Sequence, residues 1–226
     1  MTTVLALQRR LSSLGFDPGP ADGLIGPSTL RAVNAALDRL PGTAAAPAPA
    51  PAPQTIVPAD WMPWAQMSRV IVHWTAGGNK ASATDKKHYH ILIEGDGKVV
   101  RGDPSIVLNQ APAKTGYAAH TLNCNSGSIG VSLCGMAGAV ESPFNPGKSP
   151  ITMQQWAVLP QVLAALCRRY SIPVTPSTVL SHAEVQGTLG IKQNGKWDIA
   201  RLPFDPSIKG AKAIGDQFRA GTKARL

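Results

Sequence analysis

His73 closes the apolar run RVIVH and His182 closes VLSH, and each is followed by loop-like sequence. Both imidazoles therefore fall at strand ends, where a sheet presents side chains to a cleft. Asp198, in the turn-rich stretch GKWDIARLPF, offers a carboxylate oxygen. Two neutral imidazoles and one carboxylate are the ligand set of hydrolytic zinc, which binds them at about 2.0–2.2 Å and leaves a fourth position open to water. Such a set is catalytic rather than structural. The three residues lie 109 and 16 positions apart, so no compact motif of the H-E-x-x-H kind announces them. A local alternative exists in HYH, where His88 and His90 flank Tyr89. Read as a strand, that segment turns both histidines away from Tyr89, so a His88/His90 metal pair and a Tyr89 facing His73 exclude one another.

Something must carry these residues to one place. The chain has 226 residues, 43% of them hydrophobic, which is enough for a packed core in one large domain or in a medium domain with a small companion. The clearest break is PGTAAAPAPAPAPQTIVP, residues 41–58, whose alternating Ala and Pro can neither bury apolar area nor hold a sheet ladder. It reads as a linker, and about fifteen such residues in the polyproline conformation span roughly 45 Å. Residues 1–40 and 59–226 then form separate units.

In the second unit, RVIVHWT, SIGVSLCG and STVLSH are short strand candidates, and Asp96-Gly97 joins two strand-like runs in HYHILIEGDGKVVRG as a hairpin. A long helix is expected in ITMQQWAVLPQVLAALCRRYSIP, with Thr152 and Gln155 as a capping box and Pro160 either kinking it or marking its first turn. Strands separated by a long helix predict an α/β domain with one mixed central sheet flanked by helices. The first unit is all-α: a helix over Thr3–Leu14, a loop rich in Gly and Pro, and a second helix opened by Pro27.

Two resemblances follow from these residues. LQRRLSSLGFDPGPADGLIGPSTLRAV is similar to the cell-wall-binding repeat of the peptidoglycan-binding domain family, in its L-Q-x-x-L, L-G, D-G-x-x-G and G-P-x-T-x-x-A-V in order. From Trp61 to about Asp205, the blocks VIVHWTAGG, HYHILIEGDGKVVRG, AAHTLNCNSGSIGVSLCG and SHAEVQGTLGIKQNGKWD resemble, in order and spacing, the type-2 N-acetylmuramoyl-L-alanine amidases, a family that includes phage lysozymes and peptidoglycan recognition proteins. The second resemblance implies a zinc ion on His73, His182 and Asp198, a catalytic lysine at Lys196 and a catalytic tyrosine at Tyr89. It also implies substrate contacts at His120, with Asn125 and Ser126 lining the same cleft. One position departs from the pattern: Ser132 stands where the bacterial enzymes carry a glutamate, so proton handling falls to Tyr89, to the metal's own water or to a residue elsewhere. The implied reaction is hydrolysis of the bond between N-acetylmuramic acid and L-alanine of the stem peptide, as in a phage or prophage endolysin. The alternative is a non-catalytic peptidoglycan receptor on the same scaffold.

Charge agrees with a wall substrate. The balance of 22 Lys+Arg against 13 Asp+Glu leaves +9, which favours anionic partners. Nucleic acid is not expected, because no helix-turn-helix, Cys/His finger or aromatic-basic strand is present. Peptidoglycan is the expected partner and a monomer the expected state. Cys124, Cys134 and Cys167 include no C-x-x-C pair and are expected to be buried thiols. The opening MTTVLALQRRLSSLG is broken by Arg9 and Arg10, unlike a signal peptide, so synthesis in a cytoplasm and action on the wall after release are expected, without stable membrane insertion. The tail DPSIKGAKAIGDQFRAGTKARL sets Ile208, Ala211, Ile214 and Phe218 near one helical face, with Lys209, Lys212, Arg219, Lys223 and Arg225 around it. Packing on the second unit is expected of that face, and weak contact with an anionic envelope is the sharper alternative.

Overall fold

Residues 3–39 and 56–226 are described by a computed structural model, in which the chain divides into two units, Met1–Gln54 and Thr55–Leu226. Residues 40–55, most of the Ala/Pro stretch read as a linker, lie outside the described residues.

In the first unit α1 (Val4–Ser13) begins where the Thr3 hydroxyl accepts from the Ala6 N–H, and α2 (Pro27–Asp38) begins with proline at its first position. Gln8 is buried and ties the intervening loop together. Its Nε2 reaches Asp22 Oδ1, the Leu24 carbonyl and Thr29 Oγ1 at 2.9–3.2 Å, while its Oε1 accepts from the Gly23 N–H at 2.9 Å. Leu11 and Ala32 are this unit's fully buried apolar residues among those described, so little hydrophobic area holds it and polar anchoring matters more.

The second unit is built on five strands in the order β3-β2-β4-β1-β5. β1 (Arg69–Trp74) runs parallel to β4 (Ser128–Leu133) and β5 (Val179–Ser181); β2 (Ile91–Ile93) is parallel to β4, and β3 (Val99–Arg101) closes the edge as the antiparallel arm of the Asp96-Gly97 hairpin. Gly97, at φ +84°, supplies the left-handed turn residue. Helix α4 (Met153–Tyr170) starts at the Thr152–Gln155 box and runs through Pro160, which excludes Pro160 as its first turn. It covers one sheet face together with α6 (Ala211–Lys223), burying Leu159, Leu163, Leu166, Ile214 and Phe218 against Val70, Val72, Ile129, Val131 and Leu133. That packing reaches back to Ile56 and Val57. At about 25 cal/mol per Å² of apolar surface, this layer is the main stabilising term of the unit.

Three details differ from the sequence expectations. HYH is not a strand: His88 ends a short helix, α3 (Ala83–His88), Tyr89 is its C-cap, and His90 leads into β2. His182 is followed not by a loop but by helix α5 (His182–Leu189). Arg219 is not part of an exposed basic rim, being only 3% exposed and paired with Glu184. Lys209, Lys212, Lys223 and Arg225 are exposed, and the apolar face of α6 is occupied by the core. The three cysteines are buried free thiols, and no helix among the described residues is long and apolar enough to cross a membrane.

Candidate active site

The side-chain period of a strand decides what faces the cleft. Along β1, Val70, Val72 and Trp74 enter the large core, which leaves Ile71 and His73 on the opposite face. On neighbouring β4, Ile129, Val131 and Leu133 take the core side, so Ser128, Gly130 and Ser132 stand beside Arg69, Ile71 and His73. This small-residue stripe clears space. A Cβ on Gly130 would come within 2.7 Å of the His120 ring, so the glycine is what allows His120 to lie against the sheet behind His73.

His73, His182 and Asp198 converge. Their approaching atoms form a triangle: His73 Nδ1 to His182 Nδ1 3.1 Å, His73 Nδ1 to Asp198 Oδ2 3.2 Å, and His182 Nδ1 to Asp198 Oδ2 3.0 Å. All three residues are buried, and they are the one His/Cys/Asp/Glu group among the described residues arranged to hold a metal. A hydrogen bond behind the His182 ring fixes where its proton sits. Gln193 Nε2 donates to the Leu122 carbonyl (2.9 Å), so its Oε1 accepts from His182 Nε2–H (2.9 Å). His73 Nε2 lies 3.2 Å from His120 Nδ1 and 3.3 Å from Thr121 Oγ1, which is itself 2.8 Å from His120 Nδ1. His182 thus carries its proton on Nε2 and aims an Nδ1 lone pair at the carboxylate, while His73 has polar partners at both ring nitrogens. Two imidazole nitrogens and a carboxylate oxygen this close could together hold a metal ion. The edges fall within a few tenths of an ångström of the roughly 3.3–3.6 Å that separate ligand atoms around a tetrahedral zinc.

The electrostatics agree. Burial pushes His73 down to about 4, against the opposing pull of Asp198, so the ring is neutral at physiological pH. Burial disfavours ionisation of Asp198, yet hydrogen-bonding and charge interactions with the His182 and His73 rings hold its carboxyl well below the usual range. The triangle opens on a cleft of about 590 Å³ whose lining includes Tyr89, Tyr117, His120, Lys196 and Trp197.

Comparison with known families places this geometry. A model described as N-acetylmuramoyl-L-alanine amidase matches residues 63–200, more than half of the chain. The chain belongs to that amidase family. A peptidoglycan binding domain model matches residues 1–36. No curated protein sequence matches the chain. Among solved structures, the N-acetylmuramoyl-L-alanine amidase LysC from Clostridium intestinale is 16% identical over 70% of this chain and 87% of its own, with a TM-score of 0.42. The amidase AmiD from E. coli, solved with anhydro-N-acetylmuramic acid-L-Ala-D-gamma-Glu-L-Lys, is 19% identical over 53% of this chain and 49% of its own, with a TM-score of 0.39.

In this amidase Tyr89 reaches the cleft from the end of α3, its ring 5.2 Å from that of His73. Burial, reinforced by the charge of Asp198, raises its phenol well above the ordinary value, so it stays protonated and acts as a donor. Lys196 lines the cleft two residues before Asp198, where Trp197 meets Trp74 edge to face at 4.6 Å. His120 lines the cleft and stands behind His73, its Nδ1 3.2 Å from His73 Nε2. Asn125 also lines it, but its Oδ1 accepts from the His120 and Thr121 N–H groups and so shapes the loop. Ser126 stands outside the cleft, its Oγ accepting from the Ala113 N–H. Ser132 is fully buried beside His73, and its hydroxyl interacts with the Tyr89 phenol. The His88/His90 pair does not form: His88 is exposed, whereas buried His90 donates to Asn109 Oδ1 (3.0 Å) and accepts from the Gly130 N–H (2.9 Å).

Sequence reasoning missed Gln193, which holds the proton of His182 on Nε2, and Thr121, which packs between His73 and His120. It also missed Ile199, a buried β-branched residue at φ +66° directly after Asp198. That conformation costs on the order of 1–3 kcal/mol and is held here by complete burial.

Proposed function

We propose that this amidase is a zinc enzyme that hydrolyses the amide bond between the lactyl group of N-acetylmuramic acid and L-alanine of the stem peptide, with His73, His182 and Asp198 as the metal ligands. The observation that carries the reading is the triangle of two Nδ1 atoms and one carboxylate oxygen at 3.0–3.2 Å, with the His182 proton held on the far side of its ring. Bound there, zinc supplies Lewis acidity, polarising an amide carbonyl and acidifying water.

The remaining chemistry belongs to the chain. Lys196 Nζ, on the cleft wall beside Asp198, donates to the oxyanion that develops as water adds to the carbonyl. Tyr89 Oη keeps its proton at neutral pH and donates a hydrogen bond into the reacting group. Ser132 replaces the glutamate of the bacterial enzymes without replacing its basicity, since a buried hydroxyl beside a protonated phenol has no base to activate it. Residues 1–40 serve as the wall anchor: tethering the catalytic unit to an insoluble polymer raises its effective concentration there. Use as a phage or prophage endolysin is part of the same proposal.

Mass analysis of the products from a defined muropeptide tests it. Release of a stem peptide with a free L-alanine amino terminus, abolished by a chelator and restored by zinc, is expected. Cleavage within the glycan or between peptide residues would refute the scissile bond. Binding without any product would support the non-catalytic receptor.

A further inference from the structure

Helix α6 lies on the far side of α5 from the cleft, yet it holds the most completely buried charge pair in the unit. Arg219 and Glu184 are 3% and 6% exposed. Arg219 Nη2 donates to Glu184 Oε1 (2.9 Å) and Nη1 to Oε2 (3.1 Å), a two-pronged pairing that fixes the carboxylate plane. The same Nη1 donates to the Val179 carbonyl of β5 at 3.0 Å. Glu184 is in turn the capping residue of α5: its Oε2 accepts from the Ser181 N–H (2.8 Å) and the Ser181 hydroxyl (3.1 Å). The residue between the two halves of that cap is His182, and the next, Ala183, donates its N–H to the Asp198 carbonyl (3.3 Å). One guanidinium thus joins α6, β5 and the first turn of α5, and that turn touches two of the three ligand residues.

Gly215 makes the arrangement possible. A Cβ there would stand 2.4 Å from the Glu184 carboxylate oxygens, so α6 passes directly over the carboxylate at a residue without a side chain. A glycine in a helix interior weakens the helix relative to alanine, and here the close approach accounts for it.

We infer that Arg219, acting through Glu184, is a positioning residue for the metal ligand His182, and that Gly215 is required for that role. The inference rests on the zinc reading above. Buried partners that orient metal ligands change affinity by about 10–100-fold when altered. Arg219→Lys keeps the charge but cannot make the two-pronged contact, and Gly215→Ala pushes the carboxylate aside while favouring the helix.

The test measures zinc affinity of the full chain by competition with a chromophoric chelator. It is paired with the visible spectrum of the cobalt-substituted protein and the melting temperature of the metal-free form. Both variants are expected to bind zinc about 10–100-fold more weakly with an altered cobalt spectrum, and both are expected to lower the metal-free melting temperature because a buried ion pair is disturbed, so the cobalt spectrum carries the reading. Zinc affinity within about twofold of the parent and an unchanged cobalt spectrum in both variants would overturn the inference, whatever happens to melting. Failure of the parent chain itself to bind zinc would instead overturn the metal reading, and this inference with it.

Discussion

Replacing Gln193 with methionine isolates the proton on His182. The residue is 3% exposed, and methionine nearly conserves its volume while removing the oxygen that accepts from His182 Nε2–H at 2.9 Å. In the metal-free protein the ring escapes the loss by moving its proton to Nδ1, where Asp198 Oδ2 lies 3.0 Å away and accepts it. Metal binding forbids that escape, because Nδ1 must then offer a lone pair and the Nε2–H is forced to remain, buried and unpaired. An unsatisfied buried donor costs about 1–3 kcal/mol, which corresponds to about a 5- to 150-fold rise in the zinc dissociation constant. The main cost falls on the loaded state, so chelator competition at neutral pH should show weakened binding, while the metal-free protein loses the Gln193 bonds to the Leu122 and Ile191 carbonyls. Zinc affinity within about twofold of the parent would refute the His182 tautomer assignment.

Removing the Lys196 ammonium with Lys196→Met should lower kcat by about 100- to 1,000-fold, the typical effect of deleting one oxyanion donor, with zinc content unchanged by metal analysis. Tyr89→Phe should lower kcat by about 100-fold at constant KM in a muropeptide assay, and an unaltered kcat would remove Tyr89 from proton handling. Acid should destabilise the metal-free fold: burial holds His90 at about 4 and His73 at about 4, below the ordinary 6.5, so the unfolded chain binds more protons between those values. Stability in urea titrations should therefore be fully present above about pH 6.5 and fall as pH drops toward 4, and a flat profile across that window would contradict the buried neutral rings.

How far these features could be read from sequence depended on the range of the interaction that produces them. His73 was legible because a strand's period of two sorts Val70, Val72 and Trp74 from Ile71 and His73. Asp198 and His182 could be named but not oriented. α5 was overlooked although Ser181 and Glu184 stand in capping-box spacing, because the box follows a strand of only three residues. The same spacing at Ser82 and Asp85 marked α3, and missing it put Tyr89 on a strand it does not occupy. Gln193 and Thr121 carry no local signal at all. Gln193 meets His182 across 11 residues and Thr121 meets His73 across 48, and a polar residue in a loop looks the same with or without such a partner. Arg219 was misjudged for a related reason: helical spacing cannot distinguish an arginine facing water from one facing a buried carboxylate on another helix.

Because the triangle draws on β1, the turn that opens α5 and the loop before α6, no contiguous fragment contains it without spanning about three quarters of the second unit. A polypeptide emerging from the ribosome therefore has no functional centre until Asp198 has been made and folded back, and a protease cut anywhere between the strand of His73 and α6 threatens the whole centre at once. Until Asp198 is in place the two imidazoles have no carboxylate partner.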